Sequence, residues 1–291
     1  MLRGLLAATR PNQWVKNFLV LAAPATSGAL LRTESFRPAA LAVLAFLGCS
    51  CGGYLVNDTF DLGRDRAHPF KRYRPVAAGV VPIGVARVVG TAVMLTTLGA
   101  CWVFAETTWL PDLLLAYCLL TVSYSAGLKQ VAYLELLVVA ACFALRAVAG
   151  GVVDPAPASW WVVAAVTCAA LFVVAGKRYR ELNPCGSGLG GPGTDYSQRP
   201  TLRRYVPSRL RLIAIVAAGT GLALYAAGAV TSGAGQPWVT LSVAPVAAAL
   251  ARYATLLGRG LGERPEAAVR DAPMVGAAAS WVALVSLATW S

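Results

Sequence analysis

The chain has 291 residues, of which 57% are hydrophobic and 13% charged, with a formal net charge of +12. A soluble domain carries about a quarter charged residues, so this composition excludes an ordinary soluble enzyme. Long apolar runs between short polar stretches make it one integral membrane unit spanning 1–291, with no polar segment long enough for a second core. The positive charge is read as membrane asymmetry and not as a nucleic-acid surface.

In chain order, nine apolar stretches are predicted to span the bilayer as α-helices: 15–31, 38–56, 82–105, 108–126, 133–153, 158–176, 210–231, 237–256 and 273–290. Pro24 interrupts the first, so a tilted or broken helix is expected there. The runs are continuous and not alternating, which argues for an all-α bundle over a β-barrel. Abundant Gly and Ala allow close helix packing and are compatible with a small homo-oligomer. Placing the N-terminus in the cytoplasm and alternating puts 22 of the 25 Lys and Arg residues inside. Arg32 and Arg37 are left outside and Arg146 within a span. That bias predicts a multi-pass protein of the cell membrane with its C-terminus outside and a strongly basic cytoplasmic face. Six of the seven Cys lie in apolar segments, and Cys49-x-Cys51 lacks partners at metal spacing, so they are read as packing.

The segment after the second stretch carries the chemistry. Asn57, Asp58, Asp61 and Asp65 recur at helical spacing, so their oxygens can address one small volume. Three carboxylates that close repel one another unless a cation is present. An oxygen-only set at a membrane boundary suits Mg²⁺ held together with substrate phosphates. Lys71, Arg72 and Arg74 follow directly and can take the phosphate oxygens that a metal leaves uncovered. His68, the single histidine, is read as a loop contact and not as a base.

Further cations gather at the same predicted face. Lys129 follows Tyr124 in a short turn. Lys177, Arg178, Tyr179 and Glu181 end the sixth stretch, and Arg199, Arg203, Arg204 and Arg211 come after it. They form a second basic wall facing the acids. Lys16 and Asn17 reach either this site or the lipid headgroups. Arg146 must face the bundle interior, in a structural or a phosphate-binding role; Glu135 is a partner only by a long reach. The Gly/Pro-rich 183–200 stretch is a tether or a lid. No nucleophilic triad, phosphate-binding P-loop or zinc pattern is present.

Asn57-Asp58-x-x-Asp61-x-x-x-Asp65 resembles the first aspartate-rich motif of the UbiA-type polyprenyl transferase superfamily. A tighter resemblance, over nearly the whole chain, is to its decaprenyl-phosphate phosphoribosyltransferase branch. It is carried by Arg10-Pro11-x-Gln13-Trp14-Val15-Lys16-Asn17, Tyr54-Leu55-Val56-Asn57-Asp58, Asp65-Arg66-x-His68-Pro69-x-Lys71-Arg72-x-Arg74-Pro75, Leu145-Arg146-Ala147-x-Ala149-Gly150-Gly151 and Ala175-Gly176-Lys177-Arg178-Tyr179-x-Glu181-Leu182, with a late Arg270-Asp271. The resemblance implies nine helices around a central cavity open to the cytoplasm. It also implies Mg²⁺-dependent transfer of 5-phosphoribosyl from 5-phosphoribosyl 1-diphosphate (PRPP) to a polyprenyl phosphate, feeding arabinose donors of a cell wall.

In that reading Asp58, Asp61 and Asp65 are catalytic and hold the metal with Asn57. The basic and aromatic residues named above bind substrate. Superfamily members have a second Asp-x-x-x-Asp cluster after the sixth span; here Lys177, Arg178 and Glu181 stand in its place, with Asp195 isolated. Fewer acids and more cations suit two phosphorylated substrates. A prenyltransferase using a prenyl diphosphate and another acceptor is the alternative, and a transporter or lipid-binding protein the rival from another class.

Overall fold

A computed structural model describes residues 1–27, 32–152, 160–183, 200–232, 237–259 and 270–290. Among them there is no strand. The chain runs α1 (Leu2–Ala8), a 3₁₀ segment (Pro11–Leu21), α2 (Ala22–Thr26), α3 (Thr33–Phe60), α4 (Leu62–Ala67), α5 (Ile83–Phe104), α6 (Trp109–Ala126), α7 (Leu134–Val152), α8 (Trp160–Leu182), α9 (Pro207–Ser232), α10 (Pro237–Leu241), α11 (Val243–Gly258) and α12 (Ala272–Trp290). Short 3₁₀ turns at Lys71–Tyr73, Leu128–Gln130 and Pro200–Arg204 cover one end of the bundle.

Seven helical stretches are long and apolar enough to cross a membrane: α3, α5, α6, α7, α8, α9 and the α10–α11 pair. The apolar α12 stands where the last span is predicted. The described part of the first predicted span is broken, as Pro24 leads one to expect: Pro11–Leu21 is 3₁₀ and Ala22–Thr26 is α-helical. Pro11 opens the segment and Pro24 lies within α2, and neither ring leaves a donor for a continuous α-helical ladder. Arg10 precedes the segment in the left-handed region (φ 56°), a conformation that non-glycine residues rarely adopt.

α3 has 28 residues, about 42 Å at the α-helical rise. That exceeds the roughly 30 Å of hydrocarbon it must cross. The helix is therefore long enough to cross with turns to spare, and Asn57 and Asp58 sit on its last turn.

Close packing uses small residues. α3 meets α5 where a Cβ placed on Gly52 would lie 2.5 Å from the Gly90 carbonyl oxygen, and one on Gly90 would lie 2.9 Å from the Gly52 oxygen. One apolar core gathers Phe46, Cys49, Leu110, Leu114 and Tyr117 between α3 and α6. A second gathers Leu136, Phe172, Leu210, Tyr253 and Leu257 among α7, α8, α9 and α11. Large apolar side chains such as Leu95 and Val103 on α5 and Leu212 and Ile215 on α9 face outward, as a bundle solvated by lipid requires. Cys49, Cys101 and Cys118 are buried and all six described cysteines are free, consistent with packing. The protein is an integral membrane protein built as a helical bundle.

Candidate active site

The acids predicted to act together lie where α3 gives way to α4. Asp61 is the joint between the two helices: its N–H donates to the Asn57 carbonyl at 3.0 Å and its own carbonyl accepts from Asp65 N–H at 2.8 Å. The carboxylates divide into two groups. Asp58 and Asp65, 2% and 4% exposed, share Arg74. Its Nη1 lies 2.7 Å from Asp65 Oδ2 and 3.5 Å from Asp58 Oδ1. Asp58 also takes a short charge-assisted bond from Arg10, whose guanidinium stacks 4.9 Å over the Tyr54 ring.

Asp61 turns to the other side. It accepts from Lys129 Nζ at 2.8 Å and from Asn57 Nδ2 at 3.0 Å, with Arg64 at 3.9 Å. Asn57 Oδ1 in turn accepts from Lys129 at 3.2 Å and Ser125 at 3.1 Å. Burial alone would push the Asp61 carboxyl up. Lys129, Arg64 and the Asn57 amide outweigh it and hold Asp61 below the ordinary carboxylate value.

The sequence places these four residues on one helix face, and the structure brings Asp58 and Asp65 together at Arg74. Among the described residues no three His, Cys, Asp or Glu side chains converge as a ready-made metal cage. The reason is electrostatic: three acids within eight residues repel, and cations from separate parts of the chain lie between them, Arg74 at Asp58 and Asp65 and Lys129 at Asp61. The donor chemistry nonetheless fits Mg²⁺. That ion takes one or two carboxylates and completes its shell with water and substrate phosphate. The Arg74 Nη1 position marks a point between two carboxylates that already holds positive charge.

Of the cations after the acids, Arg74 enters the cluster, while Lys71 and Arg72 are exposed and Arg72 lies 5.7 Å over the Tyr73 ring. His68 Nδ1 accepts the backbone N–H groups of Phe70 (3.2 Å) and Lys71 (3.3 Å). It shapes this turn, as expected of a loop contact. Lys129 is 5% exposed on its turn, and Thr201 Oγ1 donates to its carbonyl at 3.3 Å.

The second basic wall is organised differently from the sequence reading. Arg178 is committed to two carboxylates. Its Nε and Nη2 reach Glu135 at 2.7 and 3.3 Å, and its Nη1 bonds both Glu181 oxygens at 2.7 Å. Glu135 is fully buried and also accepts from Tyr205 at 2.8 Å and Tyr124 at 3.5 Å. So Glu135 pairs with Arg178 and not with Arg146, and the cluster ties α7 and α8 to Tyr205, two residues ahead of α9. Lys177 and Tyr179 are half-buried at the end of α8. Arg199 and the 184–198 stretch lie outside the described residues.

Arg146, 4% exposed, has no carboxylate among the described residues. Its donors go to Asn17 Oδ1 (3.1 Å), the Cys142 carbonyl (2.8 Å), Ser50 Oγ (3.0 Å) and Tyr117 OH (2.9 Å), with the Tyr117 ring 4.6 Å away. Asn17 is thereby drawn into the interior, while Lys16 bonds Gln13 at 2.8 Å. Sequence reasoning named Arg10 only as the head of a motif, without a site role, and did not single out Ser125. Glu135, an acid opening an apolar run, could have been given greater weight by the rule for intramembrane charges. Arg10 carries no such signal, because its backbone conformation depends on the turn it enters.

Residues 19–179 match the model of the UbiA prenyltransferase family. The chain is 35% identical over 294 residues to the decaprenyl-phosphate phosphoribosyltransferase of Mycobacterium tuberculosis, covering 99% of this chain and 95% of that one. It is 34% identical over 295 residues to the Corynebacterium glutamicum protein of the same name, covering 99% and 87%. A UbiA homolog from Archaeoglobus fulgidus bound to GPP and Mg²⁺ superimposes with a TM-score of 0.74 at 16% identity, over 99% of this chain and all of that one. The protein is a transferase of the UbiA prenyltransferase family, similar over nearly its whole length to decaprenyl-phosphate phosphoribosyltransferases.

Proposed function

We propose that the protein transfers the 5-phosphoribosyl group of PRPP to a polyprenyl phosphate and releases pyrophosphate. The observation that carries this reading is the acid–cation cluster at the α3–α4 joint, with Asp58 and Asp65 sharing Arg74 and Asp61 paired with Lys129. The names of the full-length relatives support it. Such a cluster suits a substrate rich in phosphate: anion and counter-cation both have partners to exchange into.

Asp58, Asp61 and Asp65, with Asn57, would hold Mg²⁺, which when bound neutralises charge on a leaving diphosphate. Arg10, Arg74 and Lys129 are placed to exchange carboxylate for phosphate oxygens. Lys71 and Arg72 stand exposed beside them, within the same turn. The C1–O bond to diphosphate breaks as an oxygen of the lipid phosphate bonds C1, so positive charge develops on the ribose. The acceptor is already anionic, so the reaction needs no general base, and His68 is free to serve the turn. Positioning and fixed charge supply the rate. Arg178, through Glu135 and Glu181, fixes the helices bearing this wall, and Arg146 gives the interior a positive charge with no carboxylate partner among the described residues. The cluster faces the cytoplasm, with nine crossings, the N-terminus inside and the C-terminus outside.

The test is purified protein with polyprenyl phosphate, PRPP and Mg²⁺, following pyrophosphate and the lipid product, beside Asp61→Asn. A phosphoribosylated lipid that needs Mg²⁺ and disappears in the variant supports reaction and site together. Turnover of a prenyl diphosphate with PRPP ignored would keep the site and replace the reaction with prenyl transfer.

A further inference from the structure

At the charged end of the bundle a cleft of about 390 Å³ opens between the end of α8 and the start of α9, lined by Tyr179, Pro207, Ser208, Arg211, Leu212 and Ile215. It lies within the size range of small-molecule sites. Ser208, Arg211, Leu212 and Ile215 follow one another at i, i+3, i+4 and i+7, so they form a single stripe along α9. The stripe changes character along its length, with hydroxyl and guanidinium at the top and two branched apolar side chains below. Leu212 and Ile215 are each 59% exposed, facing the layer that lipid fills.

The charge at the top lacks a carboxylate among the described residues. Arg204, Arg209 and Arg211 have no carboxylate partner among the described residues, and the first turn of α9 contains no acid. Arg180, beside Tyr179, has its buried Nε without a hydrogen-bond partner among the described residues. The nearby acid Glu181 bonds Arg178 at 2.7 Å. Arginines at a helix N-terminus oppose the helix dipole, so the arrangement is stabilised by an external anion. An anion there, continuous with an apolar chain running toward the membrane, has the shape of one kind of molecule.

We propose that this cleft docks a single-chain lipid phosphate monoester, with Arg211 and the Ser208 hydroxyl on the phosphate and the first part of the chain along Leu212 and Ile215. The inference deepens the proposed reaction by giving the acceptor lipid a place, and it rests on that reading only for the acceptor's chemistry.

Farnesyl phosphate is the probe, bound to the intact protein in detergent micelles and counted by native mass spectrometry, with farnesol, inorganic phosphate and phosphatidylglycerol as competitors. Farnesyl phosphate should bind wild type, and Arg211→Gln should weaken it at least about 10-fold. The double change Leu212→Ala and Ile215→Ala should weaken it about as much. A diazirine-bearing farnesyl phosphate should label the α9 peptide containing 208–215, which reads the location even where a variant folds poorly. Equal binding by Arg211→Gln, or label confined to α3 and α4, would overturn the dock. So would equal competition by inorganic phosphate, which would leave a bare anion site, or by phosphatidylglycerol, which would leave bulk anionic lipid. Turnover with PRPP is read separately. Product without α9 label removes the dock alone; α9 label without product removes the proposed reaction alone.

Discussion

Lys129 Nζ donates to Asp61 Oδ1 at 2.8 Å across 68 residues of chain, and both partners also bond the Asn57 side chain. The pair holds Asp61 ionised and places the lysine where a phosphate oxygen could replace the carboxylate. Lys129→Met should therefore separate two effects. Without its resident counter-charge, Asp61 should bind Mg²⁺ more tightly, lowering the half-saturating Mg²⁺ concentration. Turnover should fall about 10-fold or more with the lost phosphate contact. A Mg²⁺ titration of initial rates measures both, and an unchanged titration would limit Lys129 to packing.

Arg178 provides a contrast. Its three nitrogens are occupied by Glu135 and Glu181, and Glu135 has no exposure at all. Arg178→Ala strands a buried carboxylate and should cost about 3–5 kcal/mol. Thermal unfolding in detergent should show that loss with substrate absent. A variant as stable as wild type but raised in KM for PRPP would mean that Arg178 faces substrate instead.

Gly150 on α7 leans against the 3₁₀ segment. A Cβ there would lie 2.9 Å from the Val20 carbonyl carbon, 3.0 Å from Pro24 Cδ and closer still to the Val20 oxygen. Gly150→Ala should destabilise by about 1–3 kcal/mol through overpacking. It should also disturb the Asn17–Arg146 contact next to it. Normal unfolding temperature with normal activity would argue against this close approach.

Asp271, just ahead of α12, accepts from Arg252 on α11 at 3.0 and 2.8 Å. The Arg252 bonds, opposed by burial and aided by the Met274 N–H, hold the Asp271 carboxyl below its ordinary value. A carboxyl depressed in the folded state adds stability above its unfolded pKa of about 3.9, lost as pH falls through the lower folded value. The difference in unfolding temperature between wild type and Arg252→Gln should thus be present near neutrality and close on acidification. A gap independent of pH would mean the pair contributes no linked stability.

Membrane class, the helical bundle and the crowding of acids after the second apolar stretch are all legible in the sequence, because each depends on local composition. Apolar runs of bilayer length need no partner to be recognised. Asn57, Asp58, Asp61 and Asp65 are near neighbours in the chain, so all four fall at the α3–α4 joint. The tertiary structure decided which cation each acid receives. Arg10, Arg74 and Lys129 come from three separate turns, and a long side chain can reach any carboxylate that packing leaves within range. The same holds for Glu135: its sequence neighbours suggest Arg146 on its own helix, whereas helix packing brings Arg178 to 2.7 Å. Within the first predicted span the 3₁₀ segment ends at Leu21 and a short α-helix follows, Ala22–Thr26. Hydrophobicity marks this stretch as apolar, but Pro11 and Pro24 limit the backbone it can adopt. Sequence fixes the environment of a residue far more directly than its partner, since burial is set by its own chemistry and pairing by the whole fold.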